Sequence, residues 1–231
     1  MQHDLAERRR WYAQDLRLRA PVRRHTAIAE AFAAVPRERF LGPGPWRLLP
    51  DRYPDNGPMT PDDDPGWLYH DVLVTIDQTR GLNNGLPSLW ARSFDHVDWR
   101  RQKRVMQVGS GTGYYAAVLA EIVGPNGRVI AVECDDDLAA KARDNLRPWA
   151  QVEVVHGDGR THDPRRGRRH HRFRRLDPPR SRLARSPDPR RGVAHAADRR
   201  ELVRLPVTGD PVPRPRCEPH RSAGRPRREQ I

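Results

Sequence analysis

The sequence predicts an α/β fold built on a parallel sheet, and two observations carry that prediction. Three short apolar runs have the composition of buried parallel strands: VMQVG (105–109), RVIAVE (128–133) and QVEVVHGDG (151–159). A helix-like segment follows each of the first two runs, within GSGTGYYAAVLAEIVG (109–124) after the glycines and at 136–146. A strand–helix–strand–helix–strand order in one sheet implies parallel strands joined by right-handed crossovers.

The part of the chain before this core predicts helices, loops and one strand. Residues 1–20 have a weak helical pattern, and residues 26–36 have a stronger one that a proline ends. Residues 42–67 are rich in Pro, Gly and Asp and predict a long irregular loop. YHDVLVTID (69–77) predicts a short strand, and a helix is expected from Pro87 to about Val97.

The charge of the chain is concentrated in its last third. The net charge is +13, but Arg160 to Ile231 contains 22 Arg, no Lys and 8 acidic residues, and residues 1–159 are close to neutral. The same segment holds 11 of the 23 prolines and has no apolar period. Such a composition cannot bury enough apolar surface to offset its chain entropy, so we expect 161–231 to be a disordered basic tail.

This tail has two explanations, a basic arm that attracts acidic surfaces or a shift of the reading frame. Arg outnumbers Lys 41 to 2, which indicates a GC-rich gene, and GC-rich DNA read out of frame yields Arg, Pro, Ala and Gly. A one-base shift permits, from Arg165 onward, a string that contains VDAIIVFAG, a buried-strand pattern. We favour a frame slip near Asp163, which the nucleotide sequence of codons 160–170 would test.

A glycine-rich loop lies between the first strand and the first helix of the core. Gly109, Gly111 and Gly113 allow a tight turn and a close approach of the backbone to a ligand. Glu133 ends the next strand, where its carboxylate can accept hydrogen bonds from ribose hydroxyls. Both features lie at the carboxyl ends of parallel strands, where open α/β sheets bind ligands. The sequence therefore predicts a site for a nucleoside cofactor.

The spacing of the glycines selects among such cofactors. The dinucleotide pattern is G-x-G-x-x-G, whereas this loop has G-x-G-x-G, which does not place a pyrophosphate at the helix N-terminus. The loop suits a ligand with an amino-acid end, such as S-adenosylmethionine. Asp158, at the end of the third strand, is then placed to meet the adenine amino group. The expected cofactor-binding residues are Gly109, Ser110, Gly111, Gly113, Glu133 and Asp158.

The core resembles a known family. VMQVGSGTGYYAAVLAEIVGPNGRVIAVECDDDLAAKARDNL followed by VEVVHGDG is similar to the cofactor half of protein-L-isoaspartate O-methyltransferases, and AVPRERFL (34–41) resembles their N-terminal signature. The resemblance implies a Rossmann-like class I methyltransferase fold, S-adenosyl-L-methionine as the cofactor, and carboxyl methylation of damaged protein or peptide, a protein-repair activity. It also implies a cytoplasmic location, and we expect the chain to be a monomer. We divide the chain into a helical and substrate-side region (1–100), a cofactor-binding core (101–160) and the tail (161–231).

The chain departs from the family pattern on the acceptor side. Family members carry Thr-Ile-Ser-x-Pro with the serine at the methyl-transfer site, and the matching stretch here is LNNGLPS (82–88). Gly85 stands where that hydroxyl is expected, so Asn84, Gly85 and Ser88 are the candidate substrate-binding residues, and no catalytic base is assigned. Gln107 stands where many members have an acid. A carboxylate needs no strong base to attack a sulfonium methyl group, so alignment and desolvation are expected to supply most of the catalysis.

A frame slip would remove the strand that flanks the first strand in methyltransferase sheets. The first strand would then be an apolar edge with unpaired backbone groups. On that basis we expect an incomplete sheet, poor folding and weak binding of the cofactor.

The composition also limits the other classes of function. No apolar run approaches the ~20 residues of a membrane-spanning helix, no secretory signal is recognisable, and two cysteines cannot form a disulfide framework. Cys/His spacing typical of zinc is absent from the sequence. An RNA or other-substrate methyltransferase and a non-catalytic remnant stay open as alternatives. The tail has a single aromatic residue, so nucleic acid would be attracted only by nonspecific charge.

Overall fold

The computed structural model describes residues 4–20, 22, 26–49, 57–99, 104–159 and 203–205. The N-terminal half contains α1 (Leu5–Arg19), α2 (Thr26–Ala34) and α3 (Pro87–Asp95). Between α2 and α3 lie two 3-10 helices (Arg37–Phe40 and Pro65–Leu68) and three strands: β1 (Leu48–Leu49), β2 (Leu73–Asp77) and β3 (Leu82–Asn83). The second half contains β4 (Arg104–Val108), α4 (Tyr114–Val123), β5 (Arg128–Glu133), α5 (Asp136–Asn145), β6 (Val152–His156) and β7 (Val203–Leu205).

The predicted α/β core is confirmed. Strands β6, β5, β4 and β7 form a parallel sheet in that order, with Val105 opposite Val129 and Val129 opposite Val152. Helices α4 and α5 connect the consecutive strands, as the alternation of apolar strand and helix patterns predicts. Strand β4 therefore lies inside the sheet, between β5 and β7.

The expectation that the first strand of the core is an unpaired edge is wrong. Val203–Leu205 pairs with β4 in parallel register, with Val105 opposite Val203 and Gln107 opposite Leu205. The backbone of this three-residue strand supplies hydrogen-bonding partners to β4 on that side. The physical reason given for weak cofactor binding is thereby removed. The other residues of 160–231, including the expected disordered tail, lie outside the described part of the chain.

The loop expected at 42–67 is more structured than its composition indicates. It contributes β1 and the 3-10 helix Pro65–Leu68, whose first turn is capped by the Asp64 carboxylate accepting from the Gly66 N–H at 2.8 Å. Strands β1, β2 and β3 form a small antiparallel sheet in that order. Two-residue strands carry too little apolar periodicity to be seen in the sequence.

One buried cluster joins the N-terminal helices to the sheet. Residues of α1, α2 and α3 share it with α4 and with Val105, Val129 and Ala131 of the sheet, so it crosses the proposed boundary at residue 100. Aromatic rings supply much of its volume, and Phe32 lies edge-on to both Tyr114 and Tyr115 at centroid distances of 6.3 and 6.4 Å. This packing fixes the N-terminal helices against the first turn of α4.

No described helix combines the length and apolarity that crossing a bilayer requires.

Candidate functional site

The glycine-rich loop follows β4 directly and is fastened to β5. The N–H groups of Gly109 and Ser110 donate to the Val132 carbonyl oxygen at 2.8 and 3.1 Å. The loop then turns back, with the Gly113 N–H donating to the Ser110 carbonyl oxygen at 3.0 Å. Its three glycines have φ values of 73° at Gly109, 56° at Gly111 and 100° at Gly113. Residues with side chains rarely adopt this left-handed backbone, which explains the glycine spacing.

The glycines of the loop have different surroundings. A Cβ at Gly111 would meet only Ile76 Cδ1, at 4.0 Å, so the backbone there has open space beside it. A Cβ at Gly113 would lie 2.8 Å from Leu146 Cδ1, so this glycine is required for packing between the loop and the end of α5. The role of Gly113 in cofactor binding stays a prediction, whereas its role in packing is a finding.

Glu133 is the buried acid of the site. It ends β5, is 6% exposed, and its Oε2 accepts a hydrogen bond from the Gly111 N–H at 2.7 Å. Its Oε1 accepts from the N–H groups of Cys134 at 2.8 Å and Asp135 at 3.1 Å. A carboxylate has about four lone-pair positions, so three are used by the chain and about one is left for a hydroxyl. The sequence predicts that Glu133 accepts hydrogen bonds from two ribose hydroxyls. The structure leaves fewer free lone-pair positions than that prediction assumes, because the same carboxylate also holds the glycine loop.

Two polar side chains at the loop have orphaned atoms. Ser110 Oγ and Gln107 Oε1 are buried and have no hydrogen-bond partner among the described residues, and their residues are 6% and 1% exposed. Buried polar atoms without partners are uncommon, and a bound ligand is one explanation for them. The amino-acid end of S-adenosylmethionine carries an ammonium group, a donor of the kind that these oxygen atoms lack. In their hydrogen-bonding chemistry, the residues present therefore fit this cofactor.

The loop after β6 lies beside the same edge of the sheet. The Gly157 N–H donates to the Glu133 carbonyl oxygen at 2.8 Å, which places Asp158 one residue away from that contact. Asp158 is half-buried. The structure thus brings Asp158 and Glu133 to neighbouring strand ends, and the contact of Asp158 with an adenine stays a prediction.

Of the three candidate substrate-binding residues, Asn84 and Gly85 lie between β3 and α3, and Ser88 lies in the first turn of α3. Asn84 pairs with Val74 of β2 like a strand residue: its N–H donates to the Val74 carbonyl at 3.0 Å, and its Oδ1 accepts from the Val74 N–H at 2.9 Å. The Ser88 N–H, in the first turn of α3, donates to Asp71 Oδ1 at 2.8 Å. Asn84 Nδ2 is buried and has no partner among the described residues.

Gly85 is held tightly and has no room for a side chain. Its φ is 80°, and a Cβ there would lie 2.6 Å from Trp90 Nε1 and 3.2 Å from Tyr115 Cε2. The Tyr115 hydroxyl donates to the Gly85 carbonyl oxygen at 2.8 Å, and the rings of Trp90 and Tyr115 stack at 4.5 Å. Burial raises the pKa of Tyr115 well above its usual range, so the hydroxyl stays a neutral donor. The packing of Trp90 and Tyr115 around Gly85 therefore explains why this position carries no side-chain hydroxyl.

Arg37 positions the segment that leads into β2, a role that the sequence analysis did not assign. Its guanidinium is fully buried and donates to three carbonyl oxygens, those of Leu68 at 2.6 Å, His70 at 3.0 Å and Val72 at 2.6 Å. The Tyr69 hydroxyl accepts from the Arg37 N–H at 3.2 Å and donates to the Glu38 carboxylate. The AVPRERFL stretch thus fixes the chain on either side of Asp71.

A second missed feature is an ion-pair group at the cofactor edge. Arg80, in the turn between β2 and β3, donates from Nε to Asp77 Oδ2 at 2.7 Å and from Nη1 to Asp135 Oδ2. Asp135 Oδ1 in turn accepts from the Leu138 N–H at 2.9 Å and caps α5. The D-x-x-L pattern at 135–138 indicates a helix cap, but the partner 55 residues earlier leaves no signal in the sequence.

The sheet order and the glycine loop after β4 define the class of the protein, which has the class I methyltransferase fold. A solved structure of a protein-L-isoaspartate O-methyltransferase superposes with a TM-score of 0.50 and 27% sequence identity, covering 67% of this chain and 42% of that one. Residues 62–165 match the model of the family described as "Protein-L-isoaspartate(D-aspartate) O-methyltransferase (PCMT)". The resemblance seen in the sequence is thereby confirmed for this part of the chain.

Relatives with the same name come from several archaea. A protein-L-isoaspartate O-methyltransferase of Ignicoccus hospitalis is 33% identical over 134 residues, which cover 57% of this chain and 54% of the relative. The corresponding protein of Methanothermobacter thermautotrophicus is 31% identical over 157 residues, covering 67% of this chain and 62% of the relative. Protein-L-isoaspartate O-methyltransferase 2 of Archaeoglobus fulgidus is 33% identical over 158 residues, covering 68% and 62%. The chain thus matches roughly half to three fifths of the length of these relatives.

Proposed function

We propose that this chain is an S-adenosylmethionine-dependent methyltransferase that methylates a carboxylate of a protein or peptide. The donor lies over the loop that contains Gly109, Ser110, Gly111 and Gly113, with Glu133 at the ribose and Asp158 at the adenine. The observation that carries the proposal is the buried Glu133 carboxylate at the end of β5, bonded to the Gly111 N–H. Open α/β sheets bind ligands at this edge. The names of the relatives support the reaction class.

The reaction requires alignment of the methyl donor with the acceptor carboxylate more than it requires proton transfer. S-adenosylmethionine supplies an electrophilic methyl group, which a carboxylate oxygen accepts as the carbon–sulfur bond breaks and a neutral thioether leaves. The chain holds the donor rigidly, because Glu133 fixes both the glycine loop and the start of α5. Catalysis then comes from orientation and the exclusion of water, which can supply several kcal/mol. No general base is required.

The acceptor binds at Asn84, Gly85 and Ser88 in this proposal. Gly85 cannot supply the hydroxyl that the family pattern has, because Trp90 occupies the space. Asn84 Nδ2 is a buried donor without a partner among the described residues, one position away, and it can donate to the acceptor carboxylate instead. Isoaspartyl peptide is the acceptor that the family name indicates, and a damaged-protein substrate makes this a repair activity.

Methyl transfer from radiolabelled S-adenosylmethionine tests the proposal. We expect base-labile label in a peptide that contains one isoaspartyl residue and none in its aspartyl isomer. Asn84→Asp keeps the Oδ1 that accepts from Val74 but replaces the donor by an anionic oxygen, so it should abolish methyl transfer. It should leave the affinity for S-adenosylhomocysteine unchanged. Equal labelling of both peptides, or full activity of Asn84→Asp, contradicts the proposed acceptor site.

We also propose that the chain is a monomer and is located in the cytoplasm. The two cysteines support a reducing compartment, because they cannot form a disulfide framework. Nucleic acid would be attracted only nonspecifically, by the arginines after residue 160. Sedimentation of the purified chain should give a mass near 26.6 kDa. A concentration-independent dimer contradicts the monomer.

A further inference from the structure

The turn between β2 and β3 is joined to the proposed nucleoside site by a continuous series of polar contacts. Arg80 donates to Asp135 Oδ2, and the Asp135 N–H donates to Glu133 Oε1 at 3.1 Å. Glu133 Oε2 accepts from the Gly111 N–H at 2.7 Å. The Arg80 side chain thus connects to the glycine loop through Asp135, the N-cap of α5, and Glu133, the last residue of β5.

The hydrogen bond from the Asp135 N–H to Glu133 Oε1 is the contact through which Arg80 acts on the Glu133 carboxylate. At 3.1 Å it is the longest of the three hydrogen bonds to the Glu133 carboxylate. Its position depends on Asp135, whose side chain divides its two oxygens between the cap of α5 and Arg80. Because both oxygens are engaged, Asp135 is fixed in orientation as well as in place.

Arg80 binds to a segment rich in acidic residues, which spans the end of β5 and the start of α5. Glu133, Asp135, Asp136 and Asp137 place four carboxylates within five residues. Arg80 is oriented by Asp77, which accepts from Arg80 Nε at 2.7 Å. Hydrogen bonds from the Thr79 hydroxyl and from Arg80 lower the pKa of Asp77 to about 2, so Asp77 stays charged at neutral pH. The guanidinium is therefore held between two carboxylates, those of Asp77 and Asp135.

We infer that Arg80 is a positioning residue for the donor site, acting through Asp135 on the carboxylate of Glu133. The inference rests on the proposed function, since it takes the Glu133 site to bind the nucleoside of the donor. Strand β2, which leads into this turn, brings Ile76 to the glycine loop, where its Cδ1 lies 4.0 Å from the position of a Cβ at Gly111. Arg80 thus links formation of the β2–β3 turn to the geometry of the donor site.

The test compares two surface ion pairs by calorimetric titration with S-adenosylhomocysteine. This ligand has no net charge at pH 7, so removal of an arginine has little direct effect on it through long-range charge. Arg80→Ala should weaken binding about fivefold, the upper end expected from a partly exposed ion pair, and Arg80→Lys should restore most of the affinity. Arg128→Ala is the matched control, because Arg128 pairs with Glu153 between β5 and β6 with similar exposure.

The dependence of ligand affinity on salt concentration distinguishes the loss of this ion pair from a general loss of stability. Added NaCl screens exposed ion pairs, so the affinity of the unsubstituted chain should fall between 0.05 and 0.5 M salt (about the range over which the Debye length shortens severalfold). The affinity of Arg80→Ala should be nearly independent of salt. Equal affinities of Arg80→Ala and Arg128→Ala, with binding intact in the unsubstituted chain, would overturn the inference alone. Absence of binding in the unsubstituted chain would overturn the proposed function and this inference together.

Discussion

Gly85 shows how one residue separates this chain from the family pattern. The sequence analysis identified it as a missing hydroxyl, and the structure explains the absence by a positive φ and by the indole of Trp90. Tyr115 completes the enclosure through its hydrogen bond to the Gly85 carbonyl oxygen. The sequence could indicate the substitution but not its cause, because Trp90 and Tyr115 are brought to Gly85 only by the packing of α3 against α4.

Restoring the family serine at this position should damage the fold. Gly85→Ser places a Cβ 2.6 Å from Trp90 Nε1 and forces a left-handed backbone on a residue with a side chain. We expect a loss of about 2–4 kcal/mol in the free energy of unfolding, from overpacking and backbone strain together. Urea denaturation measures it.

Gly81→Ser is the matched control for this substitution. Gly81 has a φ of 64° but nothing within 4 Å of its Cβ position, so the substitution adds backbone strain without a clash. The free energy of unfolding should therefore fall by only about 1 kcal/mol. Equal losses in the two variants would show that Trp90 does not exclude a side chain at position 85.

At the scale of elements, the sequence predicted the core far better than the substrate side. Strands β4, β5 and β6 are mostly apolar runs, α4 is almost wholly apolar and α5 is amphipathic, so pattern alone located them. Strands β1 and β3 have two residues each and depend on pairing with β2. The segment 69–72 has no helix or strand and depends on Arg37, whose hydrogen bonds span more than 30 residues of sequence. Contacts between residues so far apart in the sequence produce no local apolar periodicity from which they could be predicted.

Arg37 should be essential for the substrate-side segment. Its removal leaves three carbonyl oxygens without their donor, those of Leu68, His70 and Val72. Hydrogen bonds from a charged donor contribute about 1.5–3 kcal/mol each, so Arg37→Ala should lower the free energy of unfolding by about 3 kcal/mol or more. Denaturation in urea gives the value.

Two variants make the Arg37 result specific. Arg37→Lys keeps the charge but lacks the planar fork, so it should recover only part of the loss. Arg39→Ala removes an exposed arginine that donates to the Asn145 carbonyl oxygen, and it should cost less than about 1 kcal/mol. A loss in Arg37→Ala no larger than that in Arg39→Ala contradicts the positioning role.

At the scale of the whole molecule, one aromatic core joins the substrate side to the sheet. Four of the five tyrosines, Tyr12, Tyr69, Tyr114 and Tyr115, are buried in it. The sequence predicted neither this joint core nor the return of Val203–Leu205 to the sheet, since both depend on contacts between distant segments. The frame slip near Asp163 stays a prediction, and the family match ends two residues later, at residue 165.

The buried tyrosines predict how stability depends on alkaline pH. Burial raises the pKa of all four, and that of Tyr114 to about 12. The unfolded chain ionises its tyrosines near pH 10, whereas the native chain cannot, so native stability is full below pH 10 and falls between about pH 10 and 12. Absorbance at 295 nm should show these tyrosines ionising together with unfolding. Separate ionisation near pH 10 in the native chain contradicts the buried core.

Calorimetric titration of S-adenosylhomocysteine into the unsubstituted chain and into Glu133→Ala tests the central claim most directly. Glu153→Ala, which removes a surface acid of β6, is the control. The account predicts that Glu133→Ala weakens binding at least about tenfold, because hydrogen bonds to a charged group are worth about 1.5–3 kcal/mol. Glu153→Ala should bind like the unsubstituted chain. Unchanged affinity in a folded Glu133→Ala variant would contradict the account.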